Sequence, residues 1–449
     1  MQLVQLMSRA RRASAVGTSD VGAWLPWQVV DVDFAEPVPP IASTCVGNQK
    51  WGGAWILLRV FGEPVGSLQV RLGAETLDAE SIATLVPEAV TNIIRQRLRE
   101  AGVTPGVLSH GLPVRGCWPE EPPPYRARQQ AVSASGPAVT AVVCTRDQPQ
   151  GLARCLASLQ AQTYPRTRIL VVDNASVSDA PRSVVQSCSG PFPVRYVYEP
   201  RPGLSNARNR SLDELETELI AWIDDDETAD PDWLCEIAGG FLRTPAAGAV
   251  CGVMVPGELA TQSQFWFEEY GGHSKGRGFT PATFSPDTRR QQSPLFPLPP
   301  FGTGGNMAMR ASVITGLGGF DRALGAGTRT MGAEDTRALT DLLLGGGTVV
   351  YQPTAVTRHF HRKDYEGLRR QLYGYGTALS AFYTSLVWDK PARILPLLQL
   401  LPRAVRDLRD PDGPRLGTIS PQFPIDVLRE HRRGMLRGPV EYVRERLRA

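Results

Sequence analysis

At 449 residues, with 42% hydrophobic and 21% charged side chains, the chain has the balance of two or three globular domains. That composition excludes a disordered, collagenous or disulfide-scaffold protein. A net charge of +3, from 48 basic and 45 acidic residues, gives no ground for a nucleic-acid partner.

The segment Met1 to Ala15 carries arginines but no apolar stretch, so no signal peptide is expected. Next, Trp55 to Val60 and Leu68 to Leu72 are strand-like runs separated by Gly62-Glu63-Pro64-Val65-Gly66, which predicts a hairpin. A helical pattern follows from Glu80 to about Arg99. Residues 1–118 therefore read as an α+β domain without evident chemistry, a docking or scaffold module. Residues 119–137 are proline-rich and then Ser/Gly-rich, the composition of a linker.

From residue 138 short apolar strands alternate with helices. Val139 to Val143 is a strand of the buried type, and Leu152, Cys155, Leu156 and Leu159 keep helical spacing. Ile169 to Val172, Val194 to Tyr198 and Leu219 to Ile223 are further strands, and Asp230-Pro231 reads as the start of a helix. This alternation predicts an α/β fold, a mostly parallel sheet covered by helices, over residues 138–362. Gly257 to Pro300 holds six prolines and little periodicity, the character of a long binding loop or lid. Residues 363–449 read as a helical, arginine-rich region. Ile394 to Leu401 is apolar but too short to span a bilayer, and no run of 18 apolar residues is free of charge and proline. The seven cysteines lack Cys-x-x-Cys spacing, which argues against a zinc site or disulfide framework and for a reducing cytoplasm.

Polar residues gather just past the strand ends, where open α/β sheets bind ligands. Cys144-Thr145-Arg146-Asp147 closes the first strand and Asp173-Asn174-Ala175-Ser176 the second. Asp224-Asp225-Asp226-Glu227 closes the fourth, and three successive aspartates repel one another in a way that suits a hard divalent cation, Mn²⁺ or Mg²⁺. Gly203 to Asn209 opens a helix containing Ala-Arg-Asn. Phe301-Gly302-Thr303-Gly304-Gly305-Asn306-Met307 fails as a dinucleotide fingerprint, because Met307 stands where the third glycine belongs. Gly332-Ala333-Glu334-Asp335 offers a pair of carboxylates at a helix start, and His359 and His361 follow a strand-like run.

In this order, these motifs resemble those of the family 2 glycosyltransferases, whose GT-A fold is a Rossmann-like sheet flanked by helices. The resemblance covers Val139 to about His361. It implies an inverting, metal-assisted enzyme that moves one sugar from a nucleotide-diphosphate sugar to an acceptor hydroxyl. Carried over position by position, it implies nucleotide contacts at Thr145, Arg146, Asp173, Arg208 and Asp224, and metal ligation by Asp226 and Asp224, with His361 as a further ligand. Gly304, Gly305 and Asn306 would line the donor-sugar and acceptor pocket. Asp335 would be the general base, with Glu334 orienting it or binding the acceptor. Asp225 is equally well read as a solvated turn residue. A UDP-type donor is favoured, and the acceptor would be a glycan, a lipid-linked sugar or a small molecule.

The Gln-x-x-Arg-Trp motif of the processive synthases has no match near Arg370-Gln371-Leu372, which favours single-sugar transfer. Two rivals stand beside this reading. A nucleotidyltransferase would need a basic glycine-rich loop after the first strand, where Thr145-Arg146-Asp147-Gln148 lacks one. A catalytically silent nucleotide-sugar-binding protein would not need the Glu-Asp pair. The arginine-rich C-terminal region suggests peripheral contact with the inner membrane face.

Overall fold

The computed structural model describes residues 25–44, 50–73, 75–104, 108–274, 276–285, 301–409, 419–420 and 422–448. The chain divides into two compact units, residues 1–128 with 258–262, and residues 129–257 with 263–449.

The first unit holds a three-stranded sheet, β1 (Trp27–Asp33), β2 (Gly53–Val60) and β3 (Glu63–Arg71). β2 and β3 form the expected antiparallel hairpin, but the turn is only Phe61-Gly62, and Glu63 to Gly66 belong to the second strand. β1 runs parallel to β2, a pairing the alternating polar sequence Trp27 to Asp33 did not reveal. The single helix expected from Glu80 to Arg99 is two, α1 (Ala79–Leu85) and α2 (Glu88–Glu100). Pro87 between them cannot donate a helical hydrogen bond. β4 (Leu108–Ser109) and β5 (Leu112–Pro113) form a small hairpin. Trp27 N donates to Leu259 O at 2.8 Å, which ties the short segment 258–262 to this unit.

Part of the expected linker is regular: α3 (Pro124–Ser135) is a helix, and the unit boundary falls within it. Proline at its first position has no amide hydrogen to leave unsatisfied there.

The second unit follows the predicted alternation: β6 (Val139–Thr145), α4 (Pro149–Gln160), β7 (Thr167–Asn174), α5 (Ala180–Ser187), β8 (Val194–Glu199), α6 (Leu204–Leu212) and β9 (Leu219–Asp224). Then come β10 (Glu227–Ala229), α7 (Trp233–Arg243), β11 (Ala247–Pro256), α8 (Gln262–Glu269), β12 (Ala282–Phe284), β13 (Met307–Arg310), α9 (Ala311–Gly316), α10 (Glu334–Leu344) and β14 (Thr348–His359). α7 starts two residues later than the sequence suggested, with Asp232 at its N-cap position. The sheet order is β10-β14-β11-β13-β9-β6-β7-β8, with β12 added on β14. β9, β6, β7 and β8 are mutually parallel, and β13 is antiparallel to both β9 and β11.

Both faces of the sheet are covered, and successive residues of β6 serve opposite cores. Val139, Ala141 and Val143 pack with α4 and α7, whereas Val142 packs with Ala207, Ile314 and Leu339 from α6, α9 and α10. This explains why the strands read as continuous apolar runs. β6 lies between β9 and β7, so the crossovers leave it in opposite directions and open a crevice at the strand ends. Residues 286–300 of the predicted lid lie outside the described residues.

Three helices close the unit: α11 (Tyr365–Asp389), α12 (Ile394–Arg409) and α13 (Ile425–Arg446). α11 and α13 run parallel at a constant offset, Tyr365 bonding Asp426 and Arg369 bonding Glu430. Further along, a Cβ on Gly434 would lie 2.1 Å from Tyr373 O, and one on Gly438 would lie 2.2 Å from Thr377 O. Only glycine admits backbones this close.

Candidate active site

The site is built at the C-terminal ends of β6, β7 and β9. Strand chemistry ends abruptly at each: one or two residues past β6 and β7 the chain adopts left-handed conformations at Asp147 (φ 55°) and Ala175 (φ 56°). A third, Ala333 (φ 74°), immediately precedes α10. Non-glycine residues in this region cost of order 1 kcal/mol or more and are held by their surroundings. All three border the polar residues the sequence singled out.

The β6 and β9 ends are stitched together. Thr145 Oγ1 donates to Asp225 Oδ2 at 2.6 Å, so Asp225 is a buttress for the strand end, a role sequence reading left open. Asp173 is buried, and its carboxylate accepts from Tyr196 Oη at 2.7 Å and Ser176 N at 3.1 Å. The next residue, Asn174, joins β7 to the loop before α6 through Arg201 O and Gly203 N. Arg146 is solvent-exposed beside Asp147. Thr145 and Asp173, both expected at the nucleotide, thus tie the strand ends together, and Arg146 lies 3.8 Å from Asp147.

Arg208 reaches the centre of the site from α6. It is 1% exposed, and its guanidinium donates to Glu334 Oε1 at 2.9 Å and lies 3.5 Å from Asp224 Oδ1. Sequence-distant α6, β9 and α10 meet there through one buried cation. The Gly304-Gly305 turn makes room for it. A Cβ on Gly304 would sit 2.7 Å from Arg208 Nη1, and one on Gly305 would sit 2.0 Å from Glu227 Oε1. The glycines therefore admit charged side chains against the backbone. Gly304 N also donates to Asp335 Oδ2 at 2.6 Å, which orients that carboxylate.

Asn306 departs from expectation. It is fully buried, its amide donating to Val253 O and Ala355 O at 2.9 and 2.8 Å and its oxygen accepting from Trp233 Nε1 at 2.8 Å. Both donors are spent in the core, so Asn306 joins β11, β14 and α7 and lines no sugar pocket.

Asp224, Asp226 and Glu227 bring one carboxylate oxygen each within 4.8 Å of one another. Glu227 was not singled out from the sequence, although it is the fourth acid of the run and the first residue of β10. Both its oxygens are buried and make no close hydrogen bond among the described residues, the Thr357 hydroxyl being the donor nearby. Burial, reinforced by the Asp224 charge, pushes its carboxyl well above the usual range. Burial likewise pushes Asp224 up to about 6 against the pull of Arg208, and Asp225 up to about 7 with help from the Asp226 charge. Glu334 is raised to about 7 by burial, despite Arg208.

The histidines exchange roles relative to the sequence reading. His361, expected at the metal, uses both ring nitrogens elsewhere: Nε2 lies 2.8 Å from Glu268 Oε1, and Nδ1 lies 2.7 Å from His359 Nδ1. It is His359 Nε2 that faces Asp226 Oδ1, at 3.4 Å. A carboxylate only accepts, so a neutral His361 donates from Nε2 and accepts at Nδ1. His359 then donates from Nδ1 and keeps a lone pair at Nε2. Burial lowers the pKa of His359 to about 4, which keeps the ring neutral. Two acceptors facing each other beside a glutamate with no close hydrogen bond form a donor set that a divalent cation satisfies. His273, His359 and His361 form a second group of ring nitrogens within 4.8 Å.

Residues 140–317 match the model of Glycosyl transferase family 2. A succinoglycan biosynthesis protein, ExoM of Rhizobium meliloti, is 32% identical over 219 residues, 47% of this chain and 63% of the relative. A glucosyl-dolichyl phosphate glucuronosyltransferase of Haloferax volcanii is 29% identical over 136 residues, 29% of this chain and 43% of the relative. The chain thus spans about half the length of the curated relatives it matches. Among solved structures, a mannosyltransferase of Pyrobaculum calidifontis in complex with GDP-Man and Mn²⁺ is 18% identical, with a TM-score of 0.44, over 72% of this chain and 93% of that one. The similarity to glycosyl transferase family 2 thus covers residues 140–317, the strands and helices that build the sheet end described above.

Proposed function

We propose that the chain is an inverting glycosyltransferase that moves one sugar from a nucleotide-diphosphate sugar, UDP-type by preference, to an acceptor hydroxyl. The observation that carries this reading is the meeting of two unlike carboxylate groups at one sheet end. One, Asp224, Asp226 and Glu227, has a buried member without a close hydrogen bond and the donor set of a divalent cation. The other, Glu334 and Asp335, is neutralised by Arg208 and oriented by Gly304 N.

Asp224, Asp226 and Glu227, with His359 Nε2, would hold Mn²⁺ or Mg²⁺. When bound, the ion supplies positive charge beside the departing diphosphate. Asp335 stands at the first turn of α10, within reach of the Gly304-Gly305 turn. There it takes the proton of the acceptor hydroxyl as that oxygen attacks the anomeric carbon, while the nucleoside diphosphate leaves from the opposite face of the sugar. Glu334 keeps Arg208 fixed, and Arg208 in turn faces Asp224, so the donor and acceptor sides are set by one ion-pair chain.

The acceptor is a glycan, a lipid-linked sugar or a small molecule. The relatives named for succinoglycan and dolichyl phosphate chemistry support the first two. No helix among the described residues is long and apolar enough to cross a membrane. A cytoplasmic enzyme with peripheral contact at the inner membrane face fits this reading. Thermal-shift and calorimetric titration of nucleotides and nucleotide sugars, with and without Mn²⁺, tests it. A nucleotide diphosphate should stabilise the protein only with the ion, and binding that ignores the ion would reject the arrangement.

A further inference from the structure

The outer face of α13 carries an apolar line that no other described residue covers. Its packing face is Val427, His431, Gly434, Gly438 and Tyr442, all buried against the rest of the unit. At about 100° per residue the opposite pole is occupied by Ile425, Leu436, Val440 and Leu447. These side chains are 65%, 82%, 49% and 75% exposed. An amphipathic helix packed on one side ordinarily shows polar residues on the other. Here the exposed side is apolar along its centre except for Arg429, and basic at its margins.

Arg433, Arg437 and Arg444 flank the line on one side and Arg432 and Arg446 on the other, all exposed. The acids of the same helix are all paired: Glu430 with Arg433 at 2.9 Å, Glu441 with Arg444 at 3.1 Å and Asp426 with Tyr365 at 2.7 Å. Glu430 also pairs with Arg369 at 3.1 Å, and Glu441 and Glu445 lie 3.5 and 3.7 Å from Arg329. Arg429, Arg432 and Arg437 make no ion pair among the described residues, so the face keeps net positive charge. An apolar line with arginines on both margins matches the profile of the boundary between acyl chains and anionic headgroups. The leucines enter that boundary, and the guanidinium groups stay at phosphate level. Exposed Ile394, Leu395 and Leu398 on α12 add apolar area in the same unit.

We infer that α13 lies in the plane of an anionic lipid bilayer, with Ile425, Leu436, Val440 and Leu447 inserted and the flanking arginines on lipid phosphates. This gives the peripheral contact of the proposed function a surface. It is independent of catalysis, because it is read as binding alone.

The test is co-sedimentation of the full chain with vesicles of phosphatidylcholine alone or mixed with phosphatidylglycerol. Binding should require phosphatidylglycerol and weaken with salt. The variant Arg432→Gln/Arg437→Gln should bind at least tenfold more weakly, since each charge is worth about fivefold. Leu436→Gln/Val440→Gln should also lose at least tenfold while keeping the wild-type melting temperature, because both side chains point outward. Recovery of the full chain in the supernatant with anionic vesicles at low salt overturns the inference. So does full binding by the leucine–valine variant, which would mean adsorption by charge at another surface. Concentration-dependent dimerisation abolished by Leu436→Gln, without vesicle binding, would assign the face to a second copy of the chain instead.

Discussion

Two groups of carboxylates lie at the same sheet end and are treated in opposite ways by the fold. Glu334 and Asp335 are compensated: a buried arginine and a backbone amide point at them. Asp226 and Glu227 are not. Glu227 is buried without a close hydrogen bond among the described residues, and Asp226 meets only a lone-pair nitrogen and the distant Arg362 at 3.8 Å. A folded chain does not leave uncompensated charge in a cleft for stability, because an unmatched buried carboxylate is costly. The compensated group is finished by the protein. In the proposed function the uncompensated one is finished by the cation it would hold.

Breaking the uncompensated side should have the largest effect on chemistry and the least on folding. Asp226→Asn removes a charge and hardly any volume. Transfer activity should drop by at least about a thousandfold, the several kcal/mol a bound cation contributes at a leaving group. The melting temperature without metal should hold or rise. Wild-type turnover by this variant at saturating Mn²⁺ would show that the acidic cluster is no metal site.

The compensated side should respond the other way. Arg208→Met leaves Glu334 buried without its cation, and removing one member of such a pair costs about 3–5 kcal/mol. Denaturant unfolding reads that loss directly, and a variant as stable as wild type would mean that Arg208 is not the keystone described. Within the same group, Asp335→Asn keeps an acceptor for Gly304 N but cannot take a proton. It should lower kcat by at least about a hundredfold with nucleotide affinity unchanged. Calorimetry showing that nucleotide binding is lost as well would move Asp335 to the donor side.

The contrast between the two groups was only half visible in the sequence. β6, β7 and β9 were legible because strands buried on both faces are short continuous apolar runs, and the residues ending them were polar. The pairs Asp224/Asp226 and Glu334/Asp335 were legible because clustered acids serve no packing purpose. What spacing cannot tell is which way a polar side chain turns. Asn306 follows two glycines and looked like a ligand-facing residue, yet its amide bridges backbone carbonyls in the core. His359 and His361 are two residues apart in the chain, and only the Glu268 contact from α8 decides which one keeps a free lone pair. Glu227 was hidden by its neighbours, since strand alternation buries it while Asp226 stays in the cleft. In the first unit, β1 escaped notice because its polar residues face partners far along the chain, Asp31 on Arg59 and Asp33 on Gly62 N.

The smallest effect expected is on the pH dependence of stability, and its sign is shared by acids of both groups, so only the response to the cation separates them. Asp224, Asp225 and Glu334 have folded-state values of about 6, 7 and 7, and Glu227 is raised as well, against unfolded values near 4. Each group holds its proton more tightly folded than unfolded. The stability it contributes is therefore full below about pH 4 and is lost as pH rises through the folded value. In chelator, the melting temperature should fall between about pH 5 and pH 7.5, opposite to the trend of a protein whose carboxylates are salt-bridged. Mn²⁺ should restore it at the upper end of that range, because the ion takes the place of the protons on Asp224 and Glu227. Glu227→Gln should flatten the fall in chelator and reduce the rescue by Mn²⁺. A melting temperature that rises across this range in chelator, or a Glu227→Gln variant that Mn²⁺ stabilises as fully as wild type, would place Glu227 outside the cation's donor set.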